Sequence, residues 1–325
     1  MKPYLYTLLA AAAASGLAQA QTAYTTPVGY VTKTLKPNNF TLVGVTLHNP
    51  TTVAGVLDGV TSAPNTVTDN QVDFSASLTS GSTYILELAN GTVQEITSWS
   101  GSVLTTPDDI SALVTTSTSY TLRKASTISD LFGATNSAGL KPSVDGDFTA
   151  NTDLILIFNG VAFDTVYYIN DGAGTEGWFD DAGNPAASKV VAYPESLFVQ
   201  RGAGSDIDLV ITGEVKTNST NGVLVGGFNY LSSVAPAGMT LASSGLSSSV
   251  LASPDGDYTV VDNVLTQNSD GSYTTHYFIN DGGGTTGWFD DGGNPTDTAP
   301  LDGGFLLFNV GGIKPYSIAA PTIGQ

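Results

Sequence analysis

The chain has 325 residues, no cysteine, and 29 acidic side chains against 10 basic ones, for a net charge of −19. The lack of cysteine rules out a disulfide framework, and an acidic surface with no basic patch repels nucleic acid and anionic lipid. Charged residues are only 12% while Gly, Ser and Thr abound, which excludes long helices; 41% hydrophobic content excludes a disordered chain.

The first residues read MKPYLYTLLAAAAASGLAQA. Lys2, an apolar stretch from Tyr4 to Leu17 and the small-x-small triplet Ala18-Gln19-Ala20 form a secretory signal, with residues 1–20 removed on export. That run falls short of the ~20 residues a bilayer requires, and no second run follows, so no membrane span is expected. The next segment, Gln21 to Thr32, is extended and suits addition to a neighbour's sheet edge.

Further along, β-branched and aromatic runs alternate with Gly, Asn and Asp. Strands are predicted at Thr41 to Leu47, Tyr120 to Ala125, Ser196 to Arg201, Gly222 to Leu231 and Gly304 to Val310, with two apolar runs on either side of Asn90-Gly91 within Tyr84 to Trp99. Asn90-Gly91, Asn159-Gly160 and Asp270-Gly271 read as type I′ hairpin turns. Two short helices are predicted. One starts at Thr106-Pro107, and the other runs from Thr127 through an acidic cap to Gly133.

Asn170 to Pro185 reads NDGAGTEGWFDDAGNP, and Asn280 to Pro295 reads NDGGGTTGWFDDGGNP, thirteen of sixteen positions being identical. The match extends upstream to Asp145-Gly146-Asp147 and Asp255-Gly256-Asp257. A hairpin followed by Trp99 suggests a third, weaker copy lacking the acidic loop. The fold class is therefore all-β: consecutive or fused sandwich- or barrel-like units with hairpins and one or two very short helices. The units run over 21–126, 127–212 and 213–325, the last two each carrying the loop.

The runs YTLRKASTISDLFG (Tyr120 to Gly133), VVAYPESLFVQRGAG (Val190 to Gly204) and LVITGEVKTNSTNGVLVGGFNYLSS (Leu209 to Ser233), with PVGYVTKTL near residue 27, carry a resemblance. In this order they resemble an uncharacterised paralogous family of exported, β-rich proteins from Verrucomicrobiota. The resemblance spans nearly all the chain beyond the signal. It implies an exported β architecture in a bacterial envelope and transfers no catalytic residue.

The matched loops hold two candidate chemistries. Asp171, Asp180, Asp181 and Asn184, with Asp281, Asp290, Asp291 and Asn294, offer oxygens of the kind calcium takes, between glycines that permit tight turns. The same residue types build turns for backbone reasons alone. Trp178 and Trp288 stand where an aromatic ring could stack on a sugar, or where it could anchor a core. No catalytic residue is assigned: the two histidines, His48 and His276, stand in unlike contexts, and no H-E-x-x-H, G-x-S-x-G or cysteine nucleophile occurs. No cofactor other than calcium is expected. The expected role is that of an exported, non-catalytic structural or adhesive protein of the cell surface or extracellular space. Carbohydrate binding through the tryptophans is the alternative, with glycans or other surface proteins as partners. Self-assembly through the N-terminal strand and glycoside hydrolysis by a carboxylate pair stand further back.

Overall fold

The computed structural model describes residues 26–149 and 151–322. The expected signal peptide and residues 21–25 lie outside them. In chain order the strands begin with β1 (Val28–Leu35) and β2 (Phe40–Gly44). There follow β3 (Thr51–Val56), β4 (Gly59–Ser62), β5 (Asn65–Thr68), helix α1 (Phe74–Ser77), β6 (Tyr84–Leu88), β7 (Val93–Ile96), β8 (Ser98–Ser100), β9 (Val103–Thr105) and β10 (Ser119–Lys124). Helix α2 (Ile128–Phe132) leads into β11 (Leu154–Phe158), β12 (Phe163–Asn170), β13 (Glu176–Asp180), β14 (Ser196–Gln200) and β15 (Ile207–Glu214). The last part holds β16 (Thr220–Leu224), β17 (Gly227–Ser232), β18 (Asn263–Gln267), β19 (Tyr273–Asn280), β20 (Thr286–Asp290), β21 (Gly304–Asn309) and β22 (Lys314–Ile318). The protein is all-β, as its composition requires.

Two five-stranded antiparallel sheets match strand for strand: β13-β12-β11-β14-β2 and β20-β19-β18-β21-β17. Each is faced by a two-stranded partner, β1-β15 for the first and β16-β22 for the second. Period-2 alternation makes the first sandwich: Ile155, Ile157, Leu197 and Val199 point inward and meet Leu35, Leu209 and Ile211 from the facing pair. In the second, Val264, Phe305 and Leu307 meet Leu224, Tyr316 and Ile318.

This division differs from three consecutive units. β2 lies before residue 126 yet forms the edge of the first sandwich, paired with β14 from Ser196↔Gly44 to Gln200↔Phe40. Strand β1 likewise pairs with β15 along its whole length, from Val28↔Glu214 to Leu35↔Ile207. Residues 51–124 are thus an insertion between β2 and α2. It has its own two sheets, β3-β10-β6-β7 and β4-β5-β9-β8, and its own core around Phe74, Leu86, Leu104 and Leu122. Because Val28 to Thr32 is already paired inside its own chain, that segment is not free to be donated as a strand.

Local expectations fare unevenly. Helix α2 carries its capping box: the Thr127 hydroxyl accepts from the Asp130 N–H at 3.2 Å, and the Asp130 carboxylate accepts from the Thr127 N–H at 2.9 Å. No helix starts at Pro107, because the Thr106 hydroxyl donates to the Asp108 carbonyl; a single 3-10 turn, Ser111–Leu113, follows instead. The helix at Phe74–Ser77 had no capping box to announce it. In the hairpin turns only Gly91, Gly160 and Gly271 take positive φ. The preceding Asn or Asp instead accepts backbone N–H groups, as Asn159 does from Val161 and Ala162, so these are not type I′ turns. The two sandwiches meet at Gly44 and Gly304, where a Cβ on Gly44 would stand 2.4 Å from the Gly304 nitrogen.

Candidate functional site

The acidic loops connect and follow β13 and β20. Asp171 Oδ1 accepts from the N–H groups of Ala173 at 2.8 Å and Thr175 at 2.9 Å; Asp281 Oδ1 does the same with Gly283 at 2.7 Å and Thr285 at 2.9 Å. Asp180 Oδ1 accepts from Ala182 at 3.0 Å and Asn184 at 2.7 Å, and the Asn184 amide reaches its Oδ2 at 3.1 Å. Asp290 repeats this with Gly292 at 3.0 Å, Asn294 at 2.8 Å and the Asn294 amide at 3.0 Å. These bonds hold the four carboxyls below their usual range: the Asn184 and Asn294 side chains contribute most at Asp180 and Asp290, and Thr175 and Thr285 at Asp171 and Asp281. Each aspartate is the template of its own turn.

The proposed ligand set does not converge. Asn170 pairs with Glu176 and Val166 with Asp180, so Asp171 and Asp180 stand at opposite ends of β13. At ~3.3 Å per residue that is about 13 Å, too far for one cation. Asp281 and Asp290 flank β20 in the same way. Asp181 and Asp291 are exposed beside them. Among the described residues no group of three or more His, Cys, Asp or Glu side chains is arranged to hold a metal.

The tryptophans point inward. Trp178 is 2% exposed and Trp288 1%, so neither ring has a face to offer a sugar. Trp178 lies edge-on to Tyr168 at 5.0 Å and donates its Nε1–H to the Gly133 carbonyl at 2.8 Å. Trp288 lies edge-on to Phe278 at 5.4 Å. Trp99 is half-buried and edge-on to Tyr84 in the insertion, in a four-stranded sheet unlike the other two. His276 is a core strand residue whose ring nitrogens meet the Thr266 and Thr296 hydroxyls at 2.9 and 3.1 Å.

Sequence reasoning missed the most charged interior position. Arg123 on β10 is 4% exposed; its Nη1 donates to Glu214 at 3.1 Å and to the Asn49 carbonyl at 2.9 Å, and its Nη2 donates to Glu87 at 3.3 Å. Glu214 also accepts from the backbone and hydroxyl of Thr51, each at 3.0 Å. Lys216, 1% exposed, is drawn down to about 8 by burial, with Glu87 opposing and Arg123 assisting. His48 packs on Tyr193 with ring centroids 4.6 Å apart, and burial, then Arg123 and Lys216, keeps it neutral. The cluster joins the insertion, through Glu87 and Arg123, to the first sandwich through Glu214. A cavity of about 10 Å³ beside it has room for little more than one water. The clue was a lone glutamate in the otherwise apolar run YILEL and an arginine in YTLRK: a charge inside a strand buried on both faces must find a partner.

A groove of about 290 Å³ runs between β16 and β17, lined by Tyr193, Glu195, Tyr230 and Tyr316 among others. Burial, and then the charge of Glu95, push Glu195 up to about 7. Each sandwich also buries one aspartate under a cation. Asp153 accepts from Arg201 Nε at 3.1 Å, and Asp262 pairs with Lys314.

No protein-family model matches this chain, and neither does any curated protein or solved structure.

Proposed function

We propose that the chain is an exported, non-catalytic structural or adhesive protein of the bacterial cell surface or extracellular space. One observation carries this reading: four of the aspartates and both tryptophans common to the two acidic loops are consumed by the fold. Asp171, Asp180, Asp281 and Asp290 accept hydrogen bonds from their own turns, and Trp178 and Trp288 fill the cores. A loop retained to hold its own shape supports a scaffold better than a reaction or a cation cage. Burial of both indole rings speaks against stacking of sugars on them.

Two measurements test it. Fractionation of the producing cells with a specific antibody is expected to place the chain in the envelope or the medium, and the purified chain is expected to coat isolated envelopes. A cytosolic chain that coats nothing overturns the reading. Melting midpoints in calcium and in chelator are expected to coincide, since a ligand of the folded state must raise them. Asp180→Ala is expected to lower the midpoint by the same amount in both.

A further inference from the structure

In each sandwich two consecutive strands joined by a short link pair away from one another. β1 goes to β15 and β2 to β14; β16 goes to β22 and β17 to β21. A groove opens between each split pair, and its walls are unpaired strand edges.

Segments from elsewhere in the chain bond to both edges of the second groove. The Asn221 N–H donates to the Gly91 carbonyl at 2.8 Å, and Thr92 bridges to Asn221. From the other side, the Ser232 N–H donates to the Pro194 carbonyl at 2.7 Å, and Glu195 bridges to Leu231. Gly91 and Thr92 belong to the insertion, which has no counterpart in the second sandwich. Pro236 and Asp302 to Gly304 share a cavity with Val31 to Lys33, but no strand pairs with the open edge of β1: among the described residues, the backbone of 29–34 bonds to β15 alone.

Two consecutive cavities, of about 130 and 440 Å³, follow the first groove, and Lys33 lines both. On the β2 side a side chain stands in for a strand. Gln267 accepts from the Leu42 N–H at 2.8 Å and donates to the Phe40 carbonyl at 2.7 Å. This is the pair of backbone bonds a neighbouring strand would make. Lys33 is half-buried and makes no ion pair with a carboxylate among the described residues. The Thr46 hydroxyl, on a residue 3% exposed, lines the groove without a partner among the described residues. Val28 and Tyr30, at the start of β1, are 75% and 73% exposed.

We infer that this groove accepts an extended segment of a second copy of the chain, added as a strand along β1. Two observations select a second copy. The matching groove already accepts segments of this same chain, and an unpaired lysine in a chain of net charge −19 suits an acidic partner. The inference deepens the structural reading above and rests on it.

Sedimentation across a range of concentrations tests it with the full chain. Wild type is expected to self-associate, and Lys33→Glu to weaken association at least tenfold. Gln267→Ala is expected to tighten association, by freeing the Phe40 carbonyl and Leu42 N–H, while lowering the melting temperature; a merely structural glutamine would give only the second effect. Hydrogen exchange of the β1 amides is expected to slow as concentration rises. A chain that stays monomeric throughout overturns the inference, as does association indifferent to both substitutions. A monomer that still coats envelopes sinks the groove alone, whereas an associating chain confined to the cytosol sinks only the structural reading.

Discussion

Trp178 and Trp288 occupy the same strand position in matching sheets, each edge-on to a ring of the neighbouring strand. Beneath Trp178 lies α2, whose end at Gly133 offers a carbonyl to the indole N–H. Trp288 shares its core with Leu246 of a 3-10 turn, Leu246–Ser248, that has no side-chain cap, and its indole N–H has no partner among the described residues. The ring's position is therefore set by apolar burial in both sandwiches, and the hydrogen bond is a refinement of the first. An unmet buried donor costs about 1–3 kcal/mol. The first sandwich is also tied to the insertion through Arg123, whereas the second takes contacts from outside its own strands.

The largest expected effect comes from cutting that tie. Arg123→Met leaves Glu87 and Glu214 buried without their cation and is expected to cost about 3–5 kcal/mol, read as a fall in the urea midpoint. Loss of much less would mean the cluster does not anchor the insertion. Next come the tryptophans. Trp178→Phe is expected to cost about 1 kcal/mol more than Trp288→Phe, because only the first breaks a hydrogen bond and strands a carbonyl. Equal losses would erase the distinction between the two sandwiches.

A third effect depends on pH and concerns Glu195, which leans from the first sandwich onto the second. Its carboxyl titrates near 7 when folded against an ordinary value near 4.5. The folded state thus holds the proton more tightly. Its contribution is full below about pH 4.5 and is lost as pH climbs toward 7. A decline of about 2 kcal/mol is expected across that window, allowing for partial exposure of the side chain. Glu195→Gln should flatten it in melts from pH 4.5 to 7.5.

Features that depend on neighbours in sequence were legible: the strands, the cap from Thr127 to Asp130, the turn glycines, and the equivalence of Trp178 and Trp288. Sheet membership was not. Nothing near Phe40 to Gly44 announces that its partner is Ser196 to Gln200, and a local hairpin motif made Trp99 look like a third copy. The acidic loops were ambiguous for a related reason. Asp and Asn serve turns and cations with the same oxygens, and only the register of β12 on β13 separates Asp171 from Asp180. Arg123 was invisible until three distant segments met around it.

The pairing of β1 with β15 also dictates an order of events. Val28 finds Glu214, and Leu35 finds Ile207, only after nearly two-thirds of the chain has emerged. Closing so long a loop is entropically slow, whereas residues 51–124 can complete their own sheets early. The first described strand is thus among the last to be secured, and until then its backbone travels unpaired and open to association with other chains.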